Sequence, residues 1–312
     1  MAQNAVARWS NPELILVATN LLEGKTLIQH AIFQAQLTKA KVILAHVVLP
    51  SNSRANVPER TTISLLDPSI RAAKTKLEEM AIEFQHEGVL CEPIVLTGHP
   101  AEQIAQLAKS RAADRVMVAT RFSAGVARLV EPSIAEELTL AIDIPVCIIG
   151  RRAHPAAAFG TSLGGILLAT SLHSGNSLLA SFASSLAELN RAQLTLLHVL
   201  ENEEMSQQQR EIARLVARRR LAALVPDEAR YTRPEFLVCE GDPATEILDK
   251  ACSMSQEIII LGSPHPSMFP RSLTNSVVHH VALESQCPVI AIKPSLISSA
   301  KEIHELTSVK AL

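Results

Sequence analysis

Gly262, Ser263, His265, Arg271, Asn275 and Ser276 fall within one short stretch whose residue types suit the binding of an anion. A glycine lets backbone amides approach a ligand closely, and an arginine supplies a charge with a planar fork of donors. Ser276 heads an apolar stretch readable as a helix, and the free N–H groups at a helix start favour negative charge. Asn275 tolerates a positive φ better than any other residue but glycine, so the turn before that helix is expected to form. Two readings stay open at this point: the loop holds a phosphate-like group, or it is vestigial and Ser276 only caps its helix. Ser171, after an earlier apolar run, is the polar residue expected to face the same place.

Other chemistry finds little support. His279 and His280 are adjacent, so on a helix they cannot face one metal ion together. His46 and His198 end apolar runs and are read as structural. No nucleophile elbow, HExxH or Walker A pattern is present, so no catalytic residue is assigned. Ser174-Gly175-Asn176-Ser177 lacks the second glycine and the aspartate of a pyrophosphatase loop.

With a formal net charge of −2 and 3% aromatic residues, the chain has neither the charge nor the stacking surface for nucleic acid. Its five cysteines are odd in number and have no CxxC spacing, which predicts buried, reduced thiols in a cytoplasmic protein. No apolar run reaches the ~18 residues of a membrane span, and no signal-type apolar stretch precedes Trp9.

The elements that must position the loop occur twice. Gly98-His99-Pro100-Ala101 is answered by Gly241-Asp242-Pro243-Ala244, and Ala119-Thr120 by Gly262-Ser263. Arg128 is answered by Arg271, Ser133 by Ser276, and Ile144-Pro145-Val146 by Cys287-Pro288-Val289, each pair 143 positions apart. Upstream, Ile15–Thr19 matches Ile166–Thr170 at 151, and His46-Val47 matches His198-Val199 at 152. The first copy therefore carries nine extra residues, assigned to a polar loop over Ser51–Asp67. A fixed offset over many landmarks indicates a duplicated domain.

Strands are expected at Leu14–Thr19, Val42–Val48, Glu92–Leu96, Arg115–Ala119 and Val146–Ile149. The second copy offers Gly165–Thr170, Gln193–Leu200, Glu235–Val238, Glu257–Leu261 and Val289–Ile292. Helices are expected at Lys25–Thr38, Pro68–His86, Ala101–Arg111 and Ser133–Ala141, then at Gly175–Asn190, Met205–Leu224, Ala244–Ala251 and Ser276–Glu284. Short apolar strands alternating with helices predict α/β architecture: two tandem doubly wound domains, each a five-stranded parallel sheet in the order 3-2-1-4-5 with helices on both faces. The domains are expected at 1–150 and 165–294, joined by a linker at 151–164 and followed by a tail at 295–312. Arg218-Arg219-Arg220 is read as part of a solvated helix face.

The strand order, the His-Val ending strand two, the Gly-x-Pro-Ala turn and the Pro-Val opening the last strand resemble the universal stress protein family in its tandem form. In that family's nucleotide-binding members strand four runs into Gly-x2-Gly-x9-Gly-(Ser/Thr). The matching positions are Gly262, His265, Asn275 and Ser276 in the second copy, and Ala119, Phe122, Pro132 and Ser133 in the first. The aspartate that usually ends strand one is replaced by Asn20 and Ser171. The resemblance implies a non-catalytic stress-response protein that binds ATP or another adenine nucleotide, in the second domain if at all. No metal is expected beyond the magnesium that accompanies a nucleotide. A slow ATPase or nucleotide-dependent switch, and a ligand-free interaction scaffold, are the alternatives. Family dimers pair through their last strands, which implies an intrachain pseudo-dimer here; two chains could associate further as a homodimer, and the protein partner is unknown.

Overall fold

The computed structural model describes residues 2–22, 24–49, 59–120, 133–156, 162–172, 176–201, 205–227, 229, 233–263 and 276–293. Among them His265, Arg271 and Asn275 do not occur, nor do Phe122, Arg128 and Pro132. The chain divides into two compact units, Pro12–Thr161 and a second that joins Ser162–Leu312 to Met1–Asn11.

In the first of these, the strands are β1 (Leu14–Ala18), β2 (Lys41–Val48), β3 (Cys91–Thr97), β4 (Arg115–Ala119) and β5 (Val146–Ile149). All pairings are parallel and give the order β3-β2-β1-β4-β5. Between them run α2 (Gly24–Thr38), α3 (Glu59–His86), α4 (Pro100–Ser110) and α5 (Ile134–Ala141), after an initial α1 (Ala2–Ser10). The strands are apolar because both faces are covered: Ile15, Leu16 and Val17 in β1 and Val116 and Met117 in β4 are fully buried.

The other unit repeats the plan. Its strands are β6 (Gly165–Ala169), β7 (Gln193–Leu200), β8 (Glu235–Glu240), β9 (Ile258–Gly262) and β10 (Val289–Ile292). They pair in parallel as β8-β7-β6-β9-β10. Its helices are α6 (Asn176–Asn190), α7 (Gln207–Leu224), α8 (Pro243–Ser253) and α9 (Val277–Glu284). The α/β class, the parallel sheet and the 3-2-1-4-5 order stand as expected.

Three expectations change. The helix expected from Pro68 begins at Glu59, with Pro68 inside it, so helix takes up much of the presumed Ser51–Asp67 loop. A proline deletes one backbone hydrogen bond and crowds the turn before it, which a long helix can absorb as a kink. Second, α1 was not anticipated, and it belongs with residues 162–312: Ser10 Oγ lies 2.8 Å from Ser185 Oγ on α6. Third, only Cys147 and Cys287 are buried; Cys91 and Cys239 are half-buried and Cys252 is exposed. Cys252 lies in the last turn of α8, whose packed side is Ala244, Ile247 and Ala251.

The chain is held on both sides of residues 157–161. His30 on α2 donates from Nε2 to the His154 carbonyl at 2.8 Å, and Gly164 N–H donates to Glu257 Oε2 at 2.6 Å.

Candidate functional site

In a doubly wound sheet the carboxyl ends of the strands beside the first one form the binding edge. In the second unit these are the ends of β6 and β9, which run side by side with Ala169 opposite Leu261. Gly262 ends β9, opposite Ile292 of β10. Ser171 and Gly262 therefore leave adjacent strands at the same edge, Ser171 exposed and Gly262 half-buried.

The turn after β6 is held at several points. Thr170 N–H continues the ladder to the Leu197 carbonyl at 3.0 Å, and its Oγ1 accepts the Leu172 N–H at 3.2 Å. Leu172 takes φ 60°, a left-handed conformation that the threonine turn stabilises. His198 Nδ1 donates to the Thr170 carbonyl at 2.8 Å, which explains a histidine at the end of β7 as a brace for the neighbouring turn. Arg220, from α7, donates through Nη2 to the Leu172 carbonyl at 2.6 Å. All three arginines of the run are exposed, as expected, and one of them also serves the turn after β6. Arg220 brings a guanidinium to the edge where Ser171 and Gly262 emerge, and only the tertiary fold, not its position in a basic run, could show that.

The remaining described residues take distinct parts. Ser263 is 2% exposed and its N–H is donated to the Ile292 carbonyl at 2.8 Å, so that amide belongs to the sheet. Ser276 caps α9, its Oγ accepting the His279 N–H at 3.1 Å. In a strand–helix–strand crossover between parallel strands the helix starts at the carboxyl edge, so Ser276 stands at the same end of the unit as Gly262.

The first unit is built alike but closed differently. Thr19 and Leu21 (φ 68°) form the same turn, and His46 Nδ1 donates to the Thr19 carbonyl at 2.8 Å. Asn20, however, spends its Oδ1 on the Leu22 N–H at 2.9 Å. Aligning buried Leu77 with Leu221 puts Lys76 where Arg220 stands, and Lys76 pairs instead with Glu79 at 3.1 Å. Ser133 caps α5 in a reciprocal box with Glu136.

No group of three or more His, Cys, Asp or Glu among the described residues could hold a metal ion. Burial pushes the Cys91 thiol up to about 12 and raises Cys147 and Cys239 as well, the reverse of what a nucleophilic thiolate needs. No described helix is long and apolar enough to cross a membrane.

The model of the universal stress protein family matches residues 13–150 and again 164–293. The chain belongs to that family, in tandem form. In fold it is similar to a universal stress protein from Archaeoglobus fulgidus DSM 4304, at 16% identity and TM-score 0.66, over 91% of this chain and 97% of that one. A putative universal stress protein from Pseudomonas aeruginosa UCBPP-PA14 shows 17% identity and TM-score 0.60, over 96% and 99%. A shorter universal stress protein from Archaeoglobus fulgidus, solved in complex with dAMP, matches 44% of this chain at 20% identity and TM-score 0.34. No curated protein matches the chain.

Proposed function

We propose that the protein is a non-catalytic stress-response protein that binds an adenine nucleotide, or a small anion of the same phosphate chemistry, in its second unit only. The observation that carries this reading is the bond from Arg220 to the Leu172 carbonyl, which brings a cation to the edge where Ser171 and Gly262 emerge and Ser276 opens a helix. Among the described residues of the first unit, Lys76 at the matching place pairs with Glu79, and Asn20 is used within its own turn. His265, Arg271 and Asn275, outside the described residues, are proposed to complete the loop. Magnesium would arrive with the nucleotide, bound by its phosphates.

Titration calorimetry with Mg-ATP tests the assignment. Gly262→Val is expected to abolish binding: valine suits a strand position, so the fold persists while backbone approach is blocked. Ala119→Val, its counterpart, is expected to leave binding unchanged. Arg220→Ala is expected to weaken it by about 1.5–3 kcal/mol, the range for a hydrogen bond to a charged group. Equal losses from the two valine variants, or no binding by the parent at millimolar ligand, would refute nucleotide binding and favour the scaffold alternative.

A further inference from the structure

The helix that sends Arg220 to the edge where Ser171 emerges also turns a side to solvent, and that side carries large aliphatic residues at its middle. Ala217 and Leu221 are the buried residues of α7, while Arg210 and Arg214 lean on Glu240 of β8, at 3.8 and 2.9 Å. Away from these, Ile212 is 61% exposed, Leu215 70% and Val216 50%. Three large aliphatic residues at i, i+3 and i+4 on a solvent face form a stripe of the kind that seats another helix.

We propose that this face binds α7 of a second copy of the chain, antiparallel, about a two-fold axis at Leu215. The spacing of the charges favours this occupant. An axis at Leu215 sets each residue n places before it against the residue n places after it on the other copy. Leu215 then meets Leu215, and Ile212 meets the aliphatic stem of Arg218. Glu211, an acidic residue of α7, falls opposite Arg219, twice by symmetry. A self-complementary patch of this kind is what a closed two-fold interface needs. Gln208, a further turn out, faces the small Ala222. One helix face is a small interface, so the dimer belongs with weak, concentration-dependent associations. The inference does not depend on nucleotide binding.

Sedimentation velocity on the full chain, from about 5 to 500 µM at physiological salt, spans the range of such weak interfaces. The weight-average mass is expected to rise toward that of a dimer. Leu215→Glu, at an exposed position the fold does not need, is expected to weaken the association at least tenfold. Glu211→Arg and Arg219→Glu should each weaken it, and the double exchange should restore it. For geometry, Leu215→Cys in a Cys252→Ser background is expected to form a disulfide-linked dimer under mild oxidation. Gln208→Cys is not, because seven residues from the axis place its mate about 21 Å away. A monomer at every concentration would overturn the proposal and leave an acidic helical partner as the better occupant. So would a dimer indifferent to Leu215→Glu, or equal cross-linking at both cysteine positions, which would mean parallel packing.

Discussion

Arg115 opens β4 and is fully buried, a cost that only well-placed partners can offset. Its Nη1 donates to Gln34 Oε1 at 2.6 Å, and Gln34 Nε2 reaches Cys147 Sγ at 3.3 Å. At the matching places the second unit has Ile258, Leu186 and Ile290, so one fold carries a polar core cluster in one copy and an apolar one in the other. Arg115→Ile alone is expected to cost about 1–3 kcal/mol, since it leaves a buried amide oxygen without its donor. Adding Gln34→Leu and Cys147→Ile should recover most of that, as read from urea unfolding midpoints. His30 gives a pH dependence. Burial holds its imidazole below the ordinary 6.5, so the folded state resists protonation. Its contribution is complete above that value and is lost as pH falls from there toward the lower folded-state value. The unfolding midpoint should therefore drop between pH 7.5 and 5.5, and drop less in His30→Gln. None of this was visible in the sequence, which shows only an arginine at the start of an apolar strand.

At the scale of elements, the two copies exchange a histidine and an acidic residue between the same two places. His99, ahead of α4, lies 3.6 Å from Glu137 on α5. In the second unit the corresponding residues are Asp242, ahead of α8, and His280 on α9. Asp242 Oδ2 accepts both the backbone N–H and the hydroxyl of Thr245, which first of all holds its carboxyl below the ordinary range, with His280 adding to the effect. His99 makes no side-chain cap. Asp242→Ala is accordingly expected to cost about 1 kcal/mol, as loss of a helix cap does, and His99→Ala less. The Asp242 effect is present above the ordinary carboxylate pKa and fades as pH falls through the folded value, which chemical denaturation at pH 7 and pH 3 would show. Element types were legible because buried parallel strands must be apolar throughout while the helices between them alternate: β4, β5, β7 and β10 have the expected bounds. Helix starts were less so. Pro68 looked like a first helical residue and is an interior one, and α1, although amphipathic, is a nine-residue segment ahead of the first strand that was not read as a helix.

For the whole molecule, the duplication was readable in full, since offsets between matched landmarks survive where individual residues do not. The ownership of the first residues was not, because sequence adjacency suggests that α1 serves β1, whereas it packs on α6 with Ser10 beside Ser185. Removing residues 1–11 is expected to raise amide hydrogen exchange in α6 and leave α2 unchanged, as mass spectrometry would resolve. Faster exchange in α2 instead would show that α1 supports the first unit.

That placement of α1 also sets an order of events during synthesis. Residues 2–10 leave the ribosome long before Asn176–Asn190, the helix they pack on. At roughly 5–20 residues per second, the wait is on the order of 10 to 40 s. In that interval the unit at 12–161 can complete all its strand pairings, while α1, with Val6 and Ser10 on its packed side, still awaits α6. A nine-residue helix is marginal alone in water, so the segment should stay unstructured until the second unit emerges. Its docking then becomes a late step that closes a loop of 175 residues, and stalled nascent chains shorter than Asn190 should leave it open to protease.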